Sequence, residues 1–140
     1  MYNNFFGGPI FVTIIFFIVL LFILFAVASY IITSIALYNV AKYENRDNAW
    51  IAFVPYLNWM VIFDSLNIPR YYLLGFLTTF IPYIGSILLW IYIIYLYYLL
   101  YKFFKNYEID TLCYFIGLFI PLVMLVPYIQ LNNKVKKSTI

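Results

Sequence analysis

The chain has 140 residues, 67% of them hydrophobic, 24% aromatic and 9% charged, with a net charge of +3. A soluble domain is near half apolar and a quarter charged, and a core of this size would leave the excess apolar surface in water. The composition excludes an ordinary soluble globule, a disordered chain and a nucleic-acid binder. It predicts a single all-α integral membrane domain over residues 1–140, with lipid as its solvent.

Residues 1–8 form a short N-terminal segment without Lys or Arg, in which Gly7-Gly8-Pro9 reads as a turn before a helix. An apolar run follows from Ile10 to about Ala41. A secretory signal would need a basic start, a shorter apolar centre and a small-residue cleavage site, so the run reads as a retained membrane helix. Its length is roughly 45 Å against a hydrocarbon core of roughly 30 Å. The helix must tilt, or its last turns must leave the core. Thr33, Ser34, Tyr38 and Asn39 near its end favour the second option. Ala26, Ser29, Thr33 and Ala36 recur at spacings of three and four and predict a packing face, because small residues let helix backbones approach closely in lipid.

The most charged stretch, Lys42-Tyr-Glu-Asn-Arg-Asp-Asn48, ends in a residue suited to cap a helix from Ala49. The apolar segment from Ala49 to Phe63 is short for a span and contains Pro55 and Asn58, with Trp50 and Trp59 as interface anchors. It either spans with a kink at Pro55 or dips in and returns before the turn-like Asp64-Ser-Leu-Asn-Ile-Pro-Arg70. Tyr71 to Tyr101 is too long for one straight span, and Pro82 and Gly85 interrupt it. A short arm over Tyr71–Ile81 and a full span over Ile84–Tyr101 are expected. Tyr92, Tyr95, Tyr98 and Tyr101 recur every three residues along that span, with Tyr97 beside them; they read as an aromatic belt or as a groove for lipid. After a polar break from Lys102 to Asp110, the last apolar segment, Thr111–Leu131, carries Pro121 and Pro127. Such kinked helices are tolerated where neighbours satisfy the freed carbonyls. Residues 132–140 form a basic tail with Lys134, Lys136 and Lys137, suited to orient the chain or touch anionic headgroups.

A related word recurs at the breaks: Phe53-Val-Pro-Tyr-Leu-Asn58, Phe80-Ile-Pro-Tyr-Ile-Gly85, Phe119-Ile-Pro-Leu-Val-Met124 and Leu125-Val-Pro-Tyr-Ile-Gln130. It reads either as internal repetition, which some transporters use to build broken-helix sites, or as convergence in a chain rich in Phe, Ile and Tyr. Charge bears on topology as well. Four simple spans divide the Lys and Arg residues four against four. A re-entrant Ala49–Phe63 makes the division six against two, and turning back all three Pro-centred segments puts every one on the cytoplasmic side. About four membrane helices are expected in a plasma-membrane protein, the later three kinked or broken at Pro and the second spanning or re-entrant, with the N-terminus outside.

At Ala36-Leu-Tyr-Asn-Val-Ala-Lys42 and Asn48-Ala-Trp-Ile-Ala-Phe-Val-Pro-Tyr-Leu-Asn58 the chain resembles a family of short bacterial multi-pass membrane proteins of uncharacterised function. Their pattern is a first helix ending in a Leu-Tyr, Ala-Lys stretch, a basic loop and a Trp-Leu-Ala-x-x-Pro-x-x-Asn segment, then a second Pro-containing helix and a final span. The resemblance covers about Ser34 to Leu131, and Trp50–Asn58 is its most specific part. It implies a fold and a location and no activity. Some members carry a signal-peptidase label, which does not transfer to a chain without an extramembrane domain to hold a Ser–Lys pair.

Without His, histidine-based general base catalysis, serine triads and histidine metalloprotease motifs are excluded. A single cysteine, Cys113, makes neither an internal disulfide nor a thiolate zinc site and reads as a core residue. No cofactor, metal or catalytic residue is expected. The expected function is non-catalytic: an accessory, scaffold or immunity-type protein acting through contacts with lipid, with another membrane protein or with itself. The rival is a small transporter or channel-like protein that uses broken helices and Asp64, with Asn58 and Asn39 as polar companions. An interfacial turn carboxylate is the plainer reading of Asp64.

Overall fold

A computed structural model describes residues 8–81, 84–117, 120 and 122–138. Every regular element among them is helical. In chain order these are α1 (Pro9–Tyr43), a 3₁₀ turn (Ala49–Phe53), α2 (Trp59–Ser65), a longer 3₁₀ segment (Arg70–Phe80), α3 (Gly85–Asn106), α4 (Thr111–Gly117) and α5 (Leu125–Ser138). Two helices, α1 from Ile10 and α3, are long and apolar enough to cross a membrane.

The chain divides into two compact units, residues 1–31 and 32–140. In the first, α1 is apolar on all sides. Large side chains from Ile10 to Val27 are exposed around its whole circumference, an arrangement stable in lipid and costly in water. The Ser29 hydroxyl donates to the Phe25 carbonyl at 2.7 Å and so needs no partner outside the helix. Ala26 is exposed and Ser29 half-buried.

The second unit contains the core. The end of α1 contributes Ala36, Leu37, Val40 and Ala41, and α2 contributes Val61 and Ile62. From α3 come Leu100, Phe103 and Phe104, and from the C-terminal helices Tyr114, Tyr128, Leu131 and Val135. Thr33 is half-buried. The overlong first helix is thus resolved by packing, since its last three turns belong to a protein core. A second cluster joins Phe63 to Leu96 and Leu99. The buried positions of α3, Leu96, Leu99, Leu100, Phe103 and Phe104, follow the period of one helix face. Ile87, Trp90, Ile91 and Ile94, each at least 60% exposed, form an apolar stripe along the same helix.

The short arm and the long helix expected on either side of Pro82 are present as Arg70–Phe80 and Gly85–Asn106, while the described residues around Pro55 are finer-grained than a single kinked helix. Ala49–Phe63 is a 3₁₀ turn and the start of a seven-residue helix, joined through Pro55. Each piece rises only about 10 Å. Asn48 precedes the 3₁₀ turn as expected, but its side chain makes no capping bond. At the joint, Leu57 N–H bonds to Pro55 C=O at 2.8 Å across Tyr56, whose φ is 64°. This is a tight γ-type turn in a backbone region that L residues seldom enter. Pro82 and Pro121 lie outside the described residues. Pro127 is the third residue of α5, where a missing N–H breaks no helical bond.

The Arg70–Phe80 segment packs along α3 in antiparallel fashion. Tyr72 meets Tyr95 (centroids 5.9 Å apart), Phe76 meets Tyr92 (5.1 Å), and the Tyr92 hydroxyl donates to the Tyr72 carbonyl at 2.8 Å. Gly85 allows the return: a Cβ there would lie 2.3 Å from the Thr78 carbonyl oxygen. At Gly117 a Cβ would lie 2.7 Å from Met124 N and Cα, so α4 and the chain leading into α5 touch backbone to backbone. Ala normally favours a helix over Gly by about 1 kcal/mol. Gly85→Ala and Gly117→Ala are nevertheless expected to destabilise by about 1–3 kcal/mol through overpacking, read as a lowered denaturation midpoint in detergent.

Candidate functional site

Three helices of the second unit stop in the same way. After α1, Asn45 adopts φ 54°, its N–H bonds to Lys42 C=O at 3.0 Å, and Arg46 N–H bonds to Ala41 C=O at 3.0 Å. After α2, Asn67 (φ 55°) bonds to Asp64 C=O at 3.1 Å and Ile68 to Phe63 C=O at 2.7 Å. After α3, Glu108 (φ 51°) bonds to Lys105 C=O and Ile109 to Phe104 C=O, both at 3.0 Å. Each is a Schellman motif with a left-handed residue at the stop, and two of the three use Asn, which tolerates that conformation. Ile68 and Ile109 fold back onto apolar clusters, as the motif favours. Arg46 instead turns its guanidinium toward the carboxylates.

These stops bring together Glu44, Arg46, Asp64, Ser65, Arg70 and Tyr107. Arg70 grips Asp64 in a bidentate pair, Nε to Oδ1 at 2.9 Å and Nη2 to Oδ2 at 2.7 Å. Arg46 Nη1 lies 2.8 Å from the same Oδ2 but off the line of a hydrogen bond, so this contact is Coulombic. The other terminal nitrogen of Arg46 pairs with Glu44 and reaches the Ser65 oxygen at 3.3 Å. Ser65 donates to Glu44 Oε2 at 3.0 Å, or to its own helix at Val61 C=O at 2.8 Å. The Tyr107 hydroxyl donates to Glu44. Two guanidiniums against two carboxylates leave the cluster formally neutral. The cations also face the negative ends of the helices.

Position shifts protonation here. Bonding to Asp64 raises the Arg70 guanidinium further above its already high value. Burial, then donation to Glu44, pushes the Tyr107 phenol well above its ordinary value. The exposed Glu108 carboxyl is held below the usual range by Lys134, 2.8 Å away.

Of the residues singled out from sequence, the structure gathers Asp64 into this cluster and leaves the other two polar candidates apart. Asn39 hydrogen-bonds Asn132 of α5. Asn58 immediately precedes α2, half-buried and without a side-chain cap bond. Trp50 is exposed, whereas Trp59 packs against both apolar clusters. Tyr92, Tyr95 and Tyr101 are half-buried and Tyr98 is exposed. Sequence reasoning missed Glu44, Arg46, Ser65 and Tyr107. The signal available was an acidic residue one to three places before an Asn at two helix ends, Glu44-Asn45 and Asp64-Ser-Leu-Asn67. No group of three metal-ligating side chains occurs among the described residues. The chain matches no protein-family model, no curated protein and no solved structure.

Asp64→Asn strips the countercharge from two arginines, so it should cost more than Arg70→Ala, which removes one half-exposed partner. The side chains of Asp64 and Arg46 are about a fifth exposed, which puts the first change at about 1–3 kcal/mol and the second within about 1 kcal/mol. Denaturation midpoints of the two variants check the order. Because folding raises the Tyr107 value, its contribution is complete below the ordinary phenol value near 10 and declines as pH rises above it. Tyr107→Phe should therefore flatten the loss of stability above pH ~10 relative to the unmodified chain.

Proposed function

We propose that the chain is a non-catalytic integral membrane protein of the plasma membrane that works by contact, as an accessory, scaffold or immunity-type protein. The observation that carries this reading is the segregation of its surface. In residues 32–140 the ion pairs and the remaining lysines gather where α1, α2, α3 and α5 end. Elsewhere on the same unit, Leu74, Leu77, Phe80, Ile84, Ile87, Trp90, Ile91 and Ile94 stand exposed. A patch of this kind has a partner in lipid or in another apolar protein surface.

The same segregation supports a re-entrant topology in which all three Pro-bearing segments enter the bilayer and turn back. Arg70, which four simple spans would put opposite Arg46, shares Asp64 with it. Lys134, which they would put opposite Lys105, bonds Glu108 at the end of α3. With basic residues cytoplasmic, the charged end faces the cytoplasm and the N-terminus lies outside. The stretch from Pro9 to Ile31, taken by itself, measures roughly 35 Å and suffices for one crossing. A transport role for Asp64 gains little support, since the carboxylate already holds two arginines.

Cysteine labelling in a Cys113→Ser background tests this. Asn45→Cys, Asn67→Cys and Ser138→Cys should all react with an impermeant maleimide in inside-out vesicles and stay protected in right-side-out ones. Labelling of Asn67→Cys from the side opposite Asn45→Cys would restore a spanning second segment. Ion or solute flux in liposomes that is lost on Asp64→Asn would replace the contact function by transport.

A further inference from the structure

Grooves at the charged end, among the described residues, differ in their charge. One of about 380 Å³ is walled by Arg46, Arg70 and Asn48, but Asp64 and Asp47 line it too. A second, about 250 Å³, holds Lys134 already paired with Glu108. A third, about 290 Å³, is lined by Leu66, Lys102, Lys105 and Asn106 and contains no carboxylate. Lys102 and Lys105 are exposed and stand one helical turn apart on α3. Lys105 Nζ lies 6.0 Å from the centre of the Tyr101 ring, which holds the ammonium against the helix. Lys42 repeats this arrangement over Tyr38 at the end of α1, at 5.6 Å.

We propose that the Leu66–Lys102–Lys105–Asn106 groove binds the phosphodiester of an anionic glycerophospholipid. Lys102 and Lys105 neutralise the phosphate, the Asn106 amide offers a further donor, and Leu66 meets the start of the acyl chains. The depth agrees. From Gly85 to Lys105 the helix rises about 30 Å, the thickness of a hydrocarbon core, so the ammonium groups stand at the level of lipid phosphates. A basic pocket of this kind on the cytoplasmic side is how headgroups are held between membrane helices. The site rests on the membrane reading above.

The test is lipid retention. The protein is placed in nanodiscs of mixed phosphatidylglycerol and phosphatidylcholine, re-extracted in mild detergent, and the retained lipid is measured by native mass spectrometry. Phosphatidylglycerol should be enriched over its share of the disc. Lys102→Gln with Lys105→Gln should reduce the enrichment several-fold, Lys102→Arg with Lys105→Arg should keep it, and Lys136→Gln with Lys137→Gln should leave it within about a factor of two. Millimolar inorganic phosphate should not displace the lipid. Unchanged enrichment in the Lys102/Lys105 Gln pair, an equal loss in the Lys136/Lys137 pair, or displacement by phosphate overturns the site. Extraction of the unmodified chain from membranes by alkaline carbonate would instead overturn the membrane reading, so the two failures are separable.

Discussion

Two guanidiniums share one carboxylate at the place where helices stop, and the second unit is organised around that sharing. Asp64 occupies the last turn of α2, Arg46 follows α1, and Arg70 opens the 3₁₀ segment that leads to α3. Glu44 extends the link to α3 through Tyr107. A partly buried pair of charges adds little net stability once desolvation is counted. What it does here is fix which helix ends meet. Apolar contacts among Leu37, Phe103, Phe104 and Leu131 are non-directional and would tolerate sliding. A bidentate Arg–Asp fork tolerates it far less.

In the membrane setting proposed above, the division of labour follows from the solvent. A lipid-exposed helix gains little from burying Leu or Ile against another helix, because the hydrocarbon around it is equally apolar. Directional bonds and close backbone approach carry more of the specificity. Gly85 against Thr78, Gly117 against Met124, the Asn39–Asn132 bond and the Tyr92 and Tyr114 hydroxyls on backbone carbonyls are the devices used. Large aromatic side chains fill the space between, as in the run from Phe103 through Phe104 to Tyr128.

Much of the helical architecture was legible in the residues. The first helix and the polar breaks at Lys42 and Lys102 follow from apolar run length alone, and the long helix beginning at Gly85 follows from the Pro82 and Gly85 interruption of such a run. The fragmentation of Ala49–Phe63 was not. Ala49–Phe63 carries no period that distinguishes a kinked helix from a 3₁₀ turn, a γ-turn at Tyr56 and a short helix, because apolar residues occupy nearly every position. The Arg70–Phe80 segment was legible as a short arm before the Pro82 and Gly85 interruption, and only its 3₁₀ geometry was hidden, for the same reason. Asp64 was legible as an acidic residue adjoining an apolar run, and the cluster around it was not, because Arg46 meets it across 18 positions of sequence and Tyr107 meets Glu44 across 63. Such pairings depend on where helices end, and a left-handed Asn records an ending only once the helix is known.

The segregation of charge has a consequence for how the protein is made. A multi-pass protein ordinarily has to carry polar loops through the hydrocarbon while it is being inserted. With the re-entrant topology proposed above, the loops between α1 and the Ala49–Phe53 turn, between α2 and Arg70, and between α3 and α4 stay on the side of synthesis. Among the described residues of 49–131, what enters the bilayer is apolar side chains and backbone whose amides are largely bonded within 3₁₀ and α turns. In that topology the insertion of residues 49–131 carries none of these charged loops across the hydrocarbon, which separates it from the threading of polar loops that a chain of alternating spans requires.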